Sequence, residues 1–384
     1  MSKFIHIATR RNLFYILSLI IHYYLRKADL IIINTEYEFN DSLIFTLLML
    51  WGEFLGGLAI FLYQNNFFIH TKRKKKGFLI FNKQEKMKRS DNIFKIILLI
   101  FFSASFDFVE FVIATFYIPK FSVVSPTSEY RFSGIIIIIA ALICHFNLRI
   151  KILKHQFYSL LIMGVCLIVI IMLEIIYRGK GVSIGDFCFG YMLVIAYLIF
   201  VPFTDIIEKY LLEFNYANPY LILMAEAVFG FILISIYSAG DDPFKDIKTI
   251  YKEKSAGQFF LLIFLLFLYF SFSAGVNIYK ILVNGLYSPM AKTLSVYILN
   301  PFIYIYYFII ENDFMSDGEK NYFYFVINII IAFIISFFGC VFNEFLVLSF
   351  CGLDHETHFS VSIRAENAKE LKLLLDDESD SINE

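Results

Sequence analysis

Several features that are common in soluble enzymes are scarce or missing in this sequence. Charged residues make up 17% of its 384 residues, against about 25% in an average soluble domain. The five cysteines are odd in number and are scattered through apolar segments without a C-x-x-C pair. Their spacing therefore indicates neither a disulfide framework nor a zinc site. A glycine-rich phosphate-binding loop is also missing, so nothing indicates ATP-driven chemistry.

The segment that most resembles a metal site is DHETH, residues 354–358. A zinc-protease motif needs its second histidine four residues after the first. That position is occupied by Phe359, and the second histidine is His358. We therefore predict no metal, no cofactor and no enzymatic activity, and nothing in the charge pattern predicts a nucleic-acid partner.

Long apolar runs take the place of these features. Hydrophobic residues make up 59% of the chain, and the mean hydropathy is +0.69. Runs of about 20 apolar residues are what helices need to cross a bilayer core of about 30 Å. The sequence predicts an all-α polytopic membrane protein with ten transmembrane helices, at 12–33, 43–64, 94–117, 121–145, 157–177, 187–204, 218–238, 258–280, 285–310 and 322–350.

The distribution of basic residues orients these helices. The loop between the second and third helices, within 70–91, holds nine Lys or Arg and two acids. Cytoplasmic loops are enriched in Lys and Arg, so this loop is placed in the cytoplasm. With ten helices, both termini are then cytoplasmic. The mildly acidic loop predicted at 205–216 falls on the same side and fits the rule poorly.

Short motifs recur in order along the two halves of the chain. Glu53 and Glu226 each precede a glycine by four residues, at Gly57 and Gly230. FSAS at 102–105 is followed later by FSFS at 270–273, and a Ser-Pro pair occurs at 125–126 and at 288–289. This order predicts two five-helix repeats, at 1–177 and 178–352, before an acidic, disordered tail at 353–384. An odd number of helices per repeat makes the two repeats inverted, an architecture of secondary transporters.

Five short motifs are similar to a known group of transporters. They are WGE (51–53), FDF (106–108), EYRFSG (129–134), YSPMAK (287–292) and VFNEF (341–345). With them the chain resembles the drug/metabolite transporter superfamily, in its solute carrier family 35-like branch with two EamA-type halves. The resemblance covers about residues 12–352. It implies a transporter of small metabolites such as nucleotide-sugars.

Ionisable residues inside the predicted helices are the candidate site. Glu53, Asp107, Glu110 and Glu226 qualify because a charge at a helix centre costs about 2.5–3.5 kcal/mol on insertion scales. Asp107 and Glu110 are three residues apart and share a helix face, where two carboxylates favour binding of a proton. An equally weighted alternative is a structural pair between Asp107 and Arg131.

Basic and hydrogen-bonding residues at two helix entries complete the candidate site. Arg131 and Lys292 occupy equivalent places in the two halves, and such cations suit an anionic solute. The alternative for both is that they extend to the lipid headgroups, which is also our interpretation of Lys280. Tyr130 and Asn277 are further candidates for substrate binding.

The tail contains a short pattern of its own. ELKLLL at 370–375 places an acid four residues before a leucine pair, at Glu370, Leu374 and Leu375. This pattern resembles the cytoplasmic sorting signals that adaptors read, so it favours an endomembrane, either Golgi or endolysosomal, over the plasma membrane. The basic loop offers a second contact surface, since Lys and Arg attract anionic lipid headgroups.

Two classes of function remain open on the sequence. The first is a secondary active transporter of a small polar or anionic organic solute that works by alternating access. The second is a non-transporting scaffold or receptor on a degenerate transporter fold. The positions one to two turns after Lys292 favour the second, because Val296 and Leu299 stand where the branch carries an acid and an arginine. The expected partners are the solute, the bilayer, a sorting adaptor and, as an open alternative, a second copy in a homodimer.

Overall fold

The structure is a computed structural model, and it describes residues 5–7, 13–39, 41–64, 93–118, 131–147, 151–178, 183–213, 215, 217–239, 247–248, 251–252, 254–310, 322–348, 353 and 357. These residues are almost entirely helical. The helices are α1 (Leu13–Tyr37), α2 (Ser42–Gln64), α3 (Ile93–Val112), α4 (Gly134–Asn147), α5 (Lys154–Arg178), α6 (Ile184–Glu213), α7 (Pro219–Tyr237), α8 (Ala256–Leu286), α9 (Pro289–Tyr297), α10 (Asn300–Ile310) and α11 (Tyr322–Phe342). A π-helical turn, Ile113–Tyr117, extends α3.

Six of these helices, namely α2, α5, α6, α7, α8 and α11, are long and apolar enough to cross a bilayer. This result indicates an α-helical integral membrane protein, as the hydropathy predicts. The helices α1 and α3 are also long, with 25 and 20 residues. Each carries at least three charged residues, which lowers its hydropathy. Those charges become important below, because most of them line a cavity.

The structure corrects three of the predicted helix boundaries. The helix predicted at 187–204 continues to Glu213, so the loop predicted at 205–216 is mostly helical. The helix predicted at 285–310 is two helices, because Pro301 lacks an N–H group and interrupts the hydrogen-bond ladder. The helix predicted at 322–350 ends at Phe342, and Glu344 adopts a left-handed backbone with φ of 58° before strand β2 (Leu346–Leu348).

The chain divides into two compact units that are not contiguous in sequence. The larger unit contains Asn12–Ala140 and Gly179–Ile298, and the smaller unit contains Met1–Arg11, Ala141–Arg178 and Leu299–Glu384. The two predicted five-helix repeats are a different division of the chain, and they stay a prediction.

Among the described residues of the larger unit, two apolar clusters form much of the core. The first joins α1, α2 and α8 through buried side chains, including Ile33, Ile44, Phe45, Leu262 and Leu266. The second joins α3, α6, α7 and α8 and includes Ile100, Leu211, Leu212, Ile222, Leu223 and Ile281. Since α8 contributes to both clusters, it holds the two groups of helices together.

Helices α2 and α7 cross at two glycines. A Cβ atom on Gly57 would come 3.7 Å from Leu223 Cβ, and a Cβ atom on Gly230 would come 2.7 Å from Leu50 Cδ2. The residue number rises along one helix as it falls along the other, so the two helices are antiparallel. The same register brings Glu53 opposite Glu226.

Two further helix pairs of the larger unit are also antiparallel. Helix α1 packs against α8, and α3 packs against α6. The contacts that fix these directions are Phe14–Tyr279 and His22–Phe272 for the first pair, and Lys95–Tyr210 and Phe106–Phe203 for the second.

Two pairs in the same unit are parallel instead. Helix α2 runs parallel to α8, and α3 runs parallel to α7. The contacts are Gly52–Phe270 and Gly56–Ile278 for the first pair, and Phe101–Phe229 and Phe108–Tyr237 for the second. At Gly52 the approach is close enough that a Cβ atom would lie 2.8 Å from the Phe270 carbonyl oxygen.

The smaller unit is built on an antiparallel pair, α5 and α11. The Tyr324 hydroxyl donates a hydrogen bond of 2.6 Å to Oε1 of the buried Glu174, and Gln156 donates one of 3.3 Å to the Phe342 carbonyl at the other end. Strands β1 (Ile5–Ile7) and β2 (Leu346–Leu348) form a two-stranded antiparallel sheet in this unit.

Candidate functional site

The larger unit contains a partly open cavity of about 320 Å³ that is unusually rich in charged side chains. Small-molecule sites typically measure about 300–1,000 Å³, so this cavity has the size of a small-ligand site. Its charged lining consists of five carboxylates and four bases, namely Glu53, Asp107, Glu110, Asp205, Glu208, Arg26, Lys27, Lys280 and Lys292. Aromatic residues complete much of the wall, namely Tyr23, Phe111, Tyr197 and Tyr297.

Five of the residues predicted from the sequence line this cavity. They are Glu53, Asp107, Glu110, Asn277 and Lys292. Asp107 is solvent-accessible although it lies in a predicted membrane helix, because its side chain borders the cavity. The sequence analysis thus selected residues from α2, α3, α8 and α9 that the fold brings to one place.

The remaining predicted residues lie elsewhere. Arg131 and Glu226 are buried in the larger unit but do not belong to the cavity lining. Tyr130 and the three residues of the tail motif, Glu370, Leu374 and Leu375, fall outside the described residues.

Glu53 sits at the middle of α2, where the glycines on either side let α8 approach closely. Gly52 packs against the backbone of α8 at Phe270 and Ala274, and Gly56 packs against the side chains of Ala274 and Ile278. This approach places Asn277 next to Glu53, and the Asn277 amide donates a hydrogen bond of 3.4 Å to Glu53 Oε2. Glu53 therefore has a polar partner on one side and the cavity on the other.

Glu226 occupies a different environment although it is the sequence counterpart of Glu53. It is buried, with an exposed fraction of 4%, and it lies beside Ser103 of α3. Among the described residues, its Oε1 has no hydrogen-bond partner. A buried carboxyl oxygen without a partner is costly, so Glu226 is a candidate site for a bound proton.

Lys292 is held by two acids that the sequence analysis missed. Its ammonium group forms ion pairs with Asp205 and with Glu208, the latter at 3.4 Å, and all three side chains are buried. The Asn284 amide donates hydrogen bonds of 2.7 Å to Glu208 Oε2 and to the Asp205 carbonyl oxygen. We call Lys292, Asp205, Glu208 and Asn284 the lysine cluster.

The start of α9 explains how Lys292 reaches this position. Ser288 is the N-cap of α9, and its hydroxyl oxygen accepts a hydrogen bond of 3.0 Å from the Ala291 amide. Pro289 occupies the first turn, where the missing N–H group costs nothing. The cap fixes the first turn, so Lys292 points back toward α6.

A second lysine fastens α6 to the end of α8. Lys209 donates hydrogen bonds to the carbonyl oxygens of Gly285, at 3.1 Å, and of Tyr287, at 3.2 Å. Gly285 lies in the last turn of α8 and Tyr287 is its C-cap, where backbone acceptors lack helical donors. The lysine cluster and Lys209 together join the carboxyl-terminal ends of α6 and α8 to the beginning of α9.

Sequence patterns could have found the missed acids. Asp205 and Glu208 are three residues apart, which is the spacing that singled out Asp107 and Glu110. They follow an apolar run with no glycine or proline between 203 and 213, so nothing in that stretch ends the helix. Hydropathy ended the predicted helix too early, because it treats the cavity-facing charges as loop residues.

The position of Lys280 in α8 was predicted wrongly, and Arg26 and Lys27 of α1 were not predicted as site residues. Lys280 was expected to extend to the headgroups, but it lines the cavity together with Arg26 and Lys27. Arg26 and Lys27 lie over the ring of Tyr23, at 5.6 and 5.8 Å from its centroid. Their position near the middle of α1 separates them from a helix end.

Comparison with known proteins adds no identification. No protein-family model matches the chain, and no curated protein matches it.

Proposed function

We propose that this protein is a secondary active transporter of a small polar or anionic organic solute, working by alternating access. The observation that carries the proposal is the charged cavity of the larger unit, with nine charged side chains lining it among apolar helices. Ionisable residues are expensive inside a membrane, and where they face an internal cavity they mark substrate or ion pathways.

The directions of the helices support an inverted repeat, the finer part of the fold proposal. If α1, α2 and α3 correspond to α6, α7 and α8, a two-fold axis in the membrane plane exchanges the α1–α8 pair with the α3–α6 pair. Both of these pairs are antiparallel. The axis also exchanges α2–α8 with α3–α7, and both of these pairs are parallel.

The α2–α7 pair maps onto itself under the same operation. Its two contacts, Gly57 with Leu223 and Gly230 with Leu50, are equivalent positions in the two proposed repeats. This equivalence supports ten transmembrane helices arranged as two inverted five-helix repeats. In transporters with inverted repeats, the substrate site lies near the midplane between the repeats, and Glu53 lies near the middle of α2.

The proposed family is the drug/metabolite transporter superfamily, in its solute carrier family 35-like branch. The motifs WGE, FDF and YSPMAK support this proposal, because each contributes a residue to the cavity wall: Glu53, Asp107 and Lys292. The proposed localisation is an endomembrane with both termini in the cytoplasm, supported by the basic loop and by the tail pattern.

One observation favours the alternative, a non-transporting scaffold or receptor. Lys292 is satisfied by two acids of the protein itself. A cation held in this way contributes to stability of the fold without any solute. The other cavity charges favour transport, because a degenerate site has no reason to retain charges that destabilise membrane insertion.

Reconstitution tests the proposal. Purified full-length protein in liposomes is expected to take up or exchange at least one labelled solute from a panel of nucleotide-sugars, nucleobases and amino acids. The matched control is the Lys280→Met variant, which removes a cavity charge and should reduce the same flux. Folded wild-type protein that moves none of these solutes would contradict the transport proposal and favour the scaffold.

A further inference from the structure

Outside the lysine cluster, five of the six charged residues in the cavity wall are divided by sign between helices, and the sixth is Glu53 of α2, which is bonded to Asn277 of α8. Arg26 and Lys27 lie on α1 and Lys280 lies on α8, and these two helices pack against each other. Asp107 and Glu110 lie on α3, which packs against α6 and α7. The cavity therefore has a basic side on α1 and α8 and an acidic side on α3.

The lysine cluster contributes little to the recognition of an anion. The charge of Lys292 is opposed by Asp205 and Glu208, both of them buried. A solute that approached Lys292 as an anion would also approach these two carboxylates. Like charges brought together at a recognition surface cost several kcal/mol.

The two sides are close enough to act on one small molecule. Arg26 and Lys280 on the basic side line the same cavity as Glu110 on the acidic side. The cavity volume is about 320 Å³, near the lower limit of about 300 Å³ for small-molecule sites. A molecule that fills this space touches both sides at once.

Most of the remaining lining is apolar or aromatic, and its uncharged polar residues are Thr204, Asn277 and Thr293. Met49, Val201 and Leu223 line the cavity together with the ring of Phe111 and three tyrosines. Such a surface suits an uncharged apolar or aromatic substituent, while the charged sides fix the orientation of the polar end.

From this arrangement we infer that the solute is a small zwitterion of the amino-acid type, with its carboxylate toward Arg26, Lys27 and Lys280 and its ammonium toward Asp107 and Glu110. This inference rests on the proposed transport function and narrows its substrate class. A nucleotide-sugar carries two negative phosphates and no compensating cation, so it would meet Asp107 and Glu110 without a charge of its own to offset them.

Competition by a matched set of ligands tests the inference on the wild-type protein. The set consists of leucine, N-acetyl-leucine, leucine amide and a uridine diphosphate sugar, each offered against the labelled solute that the liposomes accumulate. Leucine has both charges, the acetyl form lacks the cation, and the amide lacks the anion. We expect leucine to compete at least about tenfold better than either blocked form.

Two outcomes overturn the inference in distinguishable ways. If the nucleotide-sugar or N-acetyl-leucine competes better than leucine, the protein is a transporter but its solute is an anion. If no labelled solute accumulates at all, the proposed function fails and the inference fails with it.

Two variants test which side of the cavity binds the ammonium group of the solute and which side binds its carboxylate. Asp107→Asn should weaken competition by leucine by about tenfold and leave competition by N-acetyl-leucine almost unchanged, because of these two only leucine has an ammonium group. Lys280→Met should weaken competition by leucine and leave competition by leucine amide almost unchanged, because the amide has no carboxylate. If each variant weakens all three ligands equally, the assignment is overturned. Such a result would indicate a general loss of folding or of cavity shape, which affects all three ligands alike.

Discussion

Two glutamates buried in long apolar helices show how differently the same residue can be used. Glu53 lies at the middle of α2 in the larger unit, and Glu174 lies near the end of α5 in the smaller unit. Glu174 accepts a hydrogen bond of 2.6 Å from Tyr324 across the α5–α11 pair. Glu53 has a longer contact of 3.4 Å with Asn277, and it borders the cavity.

Burial of an acid in a membrane helix is therefore not by itself a sign of function. Glu174 is the more buried of the two, with an exposed fraction of 1% against 9% for Glu53. Its short contact with a neutral hydroxyl joins two helices and has no connection to the cavity lining. Access to a cavity that holds other charges is what makes Glu53 a functional candidate.

The largest effect is expected from Lys292→Met, which breaks the lysine cluster. It leaves Asp205 and Glu208 buried without their cation, and removing one partner of a buried ion pair costs about 3–5 kcal/mol. Thermal unfolding in detergent should show a much lower midpoint than the wild type. The triple variant Lys292→Met, Asp205→Asn, Glu208→Gln should recover most of the lost stability, because it removes the charges of both acids as well. If Lys292→Met does not lower the unfolding midpoint, Asp205 and Glu208 do not depend on the charge of Lys292.

The second prediction compares the two glutamates directly. Glu53→Gln should reduce solute flux in liposomes by about 10- to 100-fold, which corresponds to about 1.4–2.7 kcal/mol. Glu174→Gln should leave the flux unchanged, since glutamine can still accept the Tyr324 hydrogen bond. Equal losses in both variants, with both proteins folded, would show that cavity access does not separate the two residues.

The third prediction compares glycines in the two units. A Cβ atom at residue 52 would meet the Phe270 carbonyl oxygen at 2.8 Å and the Ala274 nitrogen at 3.0 Å, and backbone atoms cannot easily move away. Gly52→Ala should therefore cost about 1–3 kcal/mol through overpacking. Gly164 in α5 has nothing within 4 Å of its added Cβ atom, so Gly164→Ala should stabilise slightly, by up to about 1 kcal/mol through helix propensity. Melting temperatures of the two variants should move in opposite directions.

The smallest effect is expected from Glu213→Gln, which removes an exposed ion pair at the end of α6. Glu213 forms an ion pair of 2.6 Å with Lys209, but its side chain is 47% exposed. Exposed helix pairs at this spacing contribute about 0.3–0.5 kcal/mol. Glu213→Gln should therefore change stability by no more than this, because Lys209 keeps its bonds to the end of α8. A loss comparable to that of Lys292→Met would mean that the contacts of Lys209 depend on Glu213.

Much of the fold was predictable from the sequence, because apolar runs of the right length report membrane helices directly. The bounds of α2, α5 and α7 differ from the prediction by at most three residues. The end of α6 was not predictable from hydropathy, since Asp205 and Glu208 look like loop residues until their cavity is known. The division at Pro301 follows from proline chemistry, and the prediction of one continuous helix there was wrong.

The candidate site was predictable in part, for a related reason. Single acids in apolar runs, such as Glu53 and Asp107, stand out in the sequence. The partners of Lys292 come from a helix 84 to 87 residues away along the chain, and no local pattern reports such a distance. Of the two equivalent acids Glu53 and Glu226, only Glu53 borders the cavity, and the sequence equivalence does not report this difference.

The most direct test of alternating access is labelling of the cavity from each side of the membrane. In a variant without native cysteines, Met49→Cys places a thiol in the cavity wall one turn before Glu53. Met163→Cys is the control, because Met163 is fully buried in α5. A membrane-impermeant thiol reagent should label residue 49 from either side of sealed vesicles, with protection by the transported solute, and should not label residue 163. Labelling of residue 49 from one side only, with and without solute, would contradict the account.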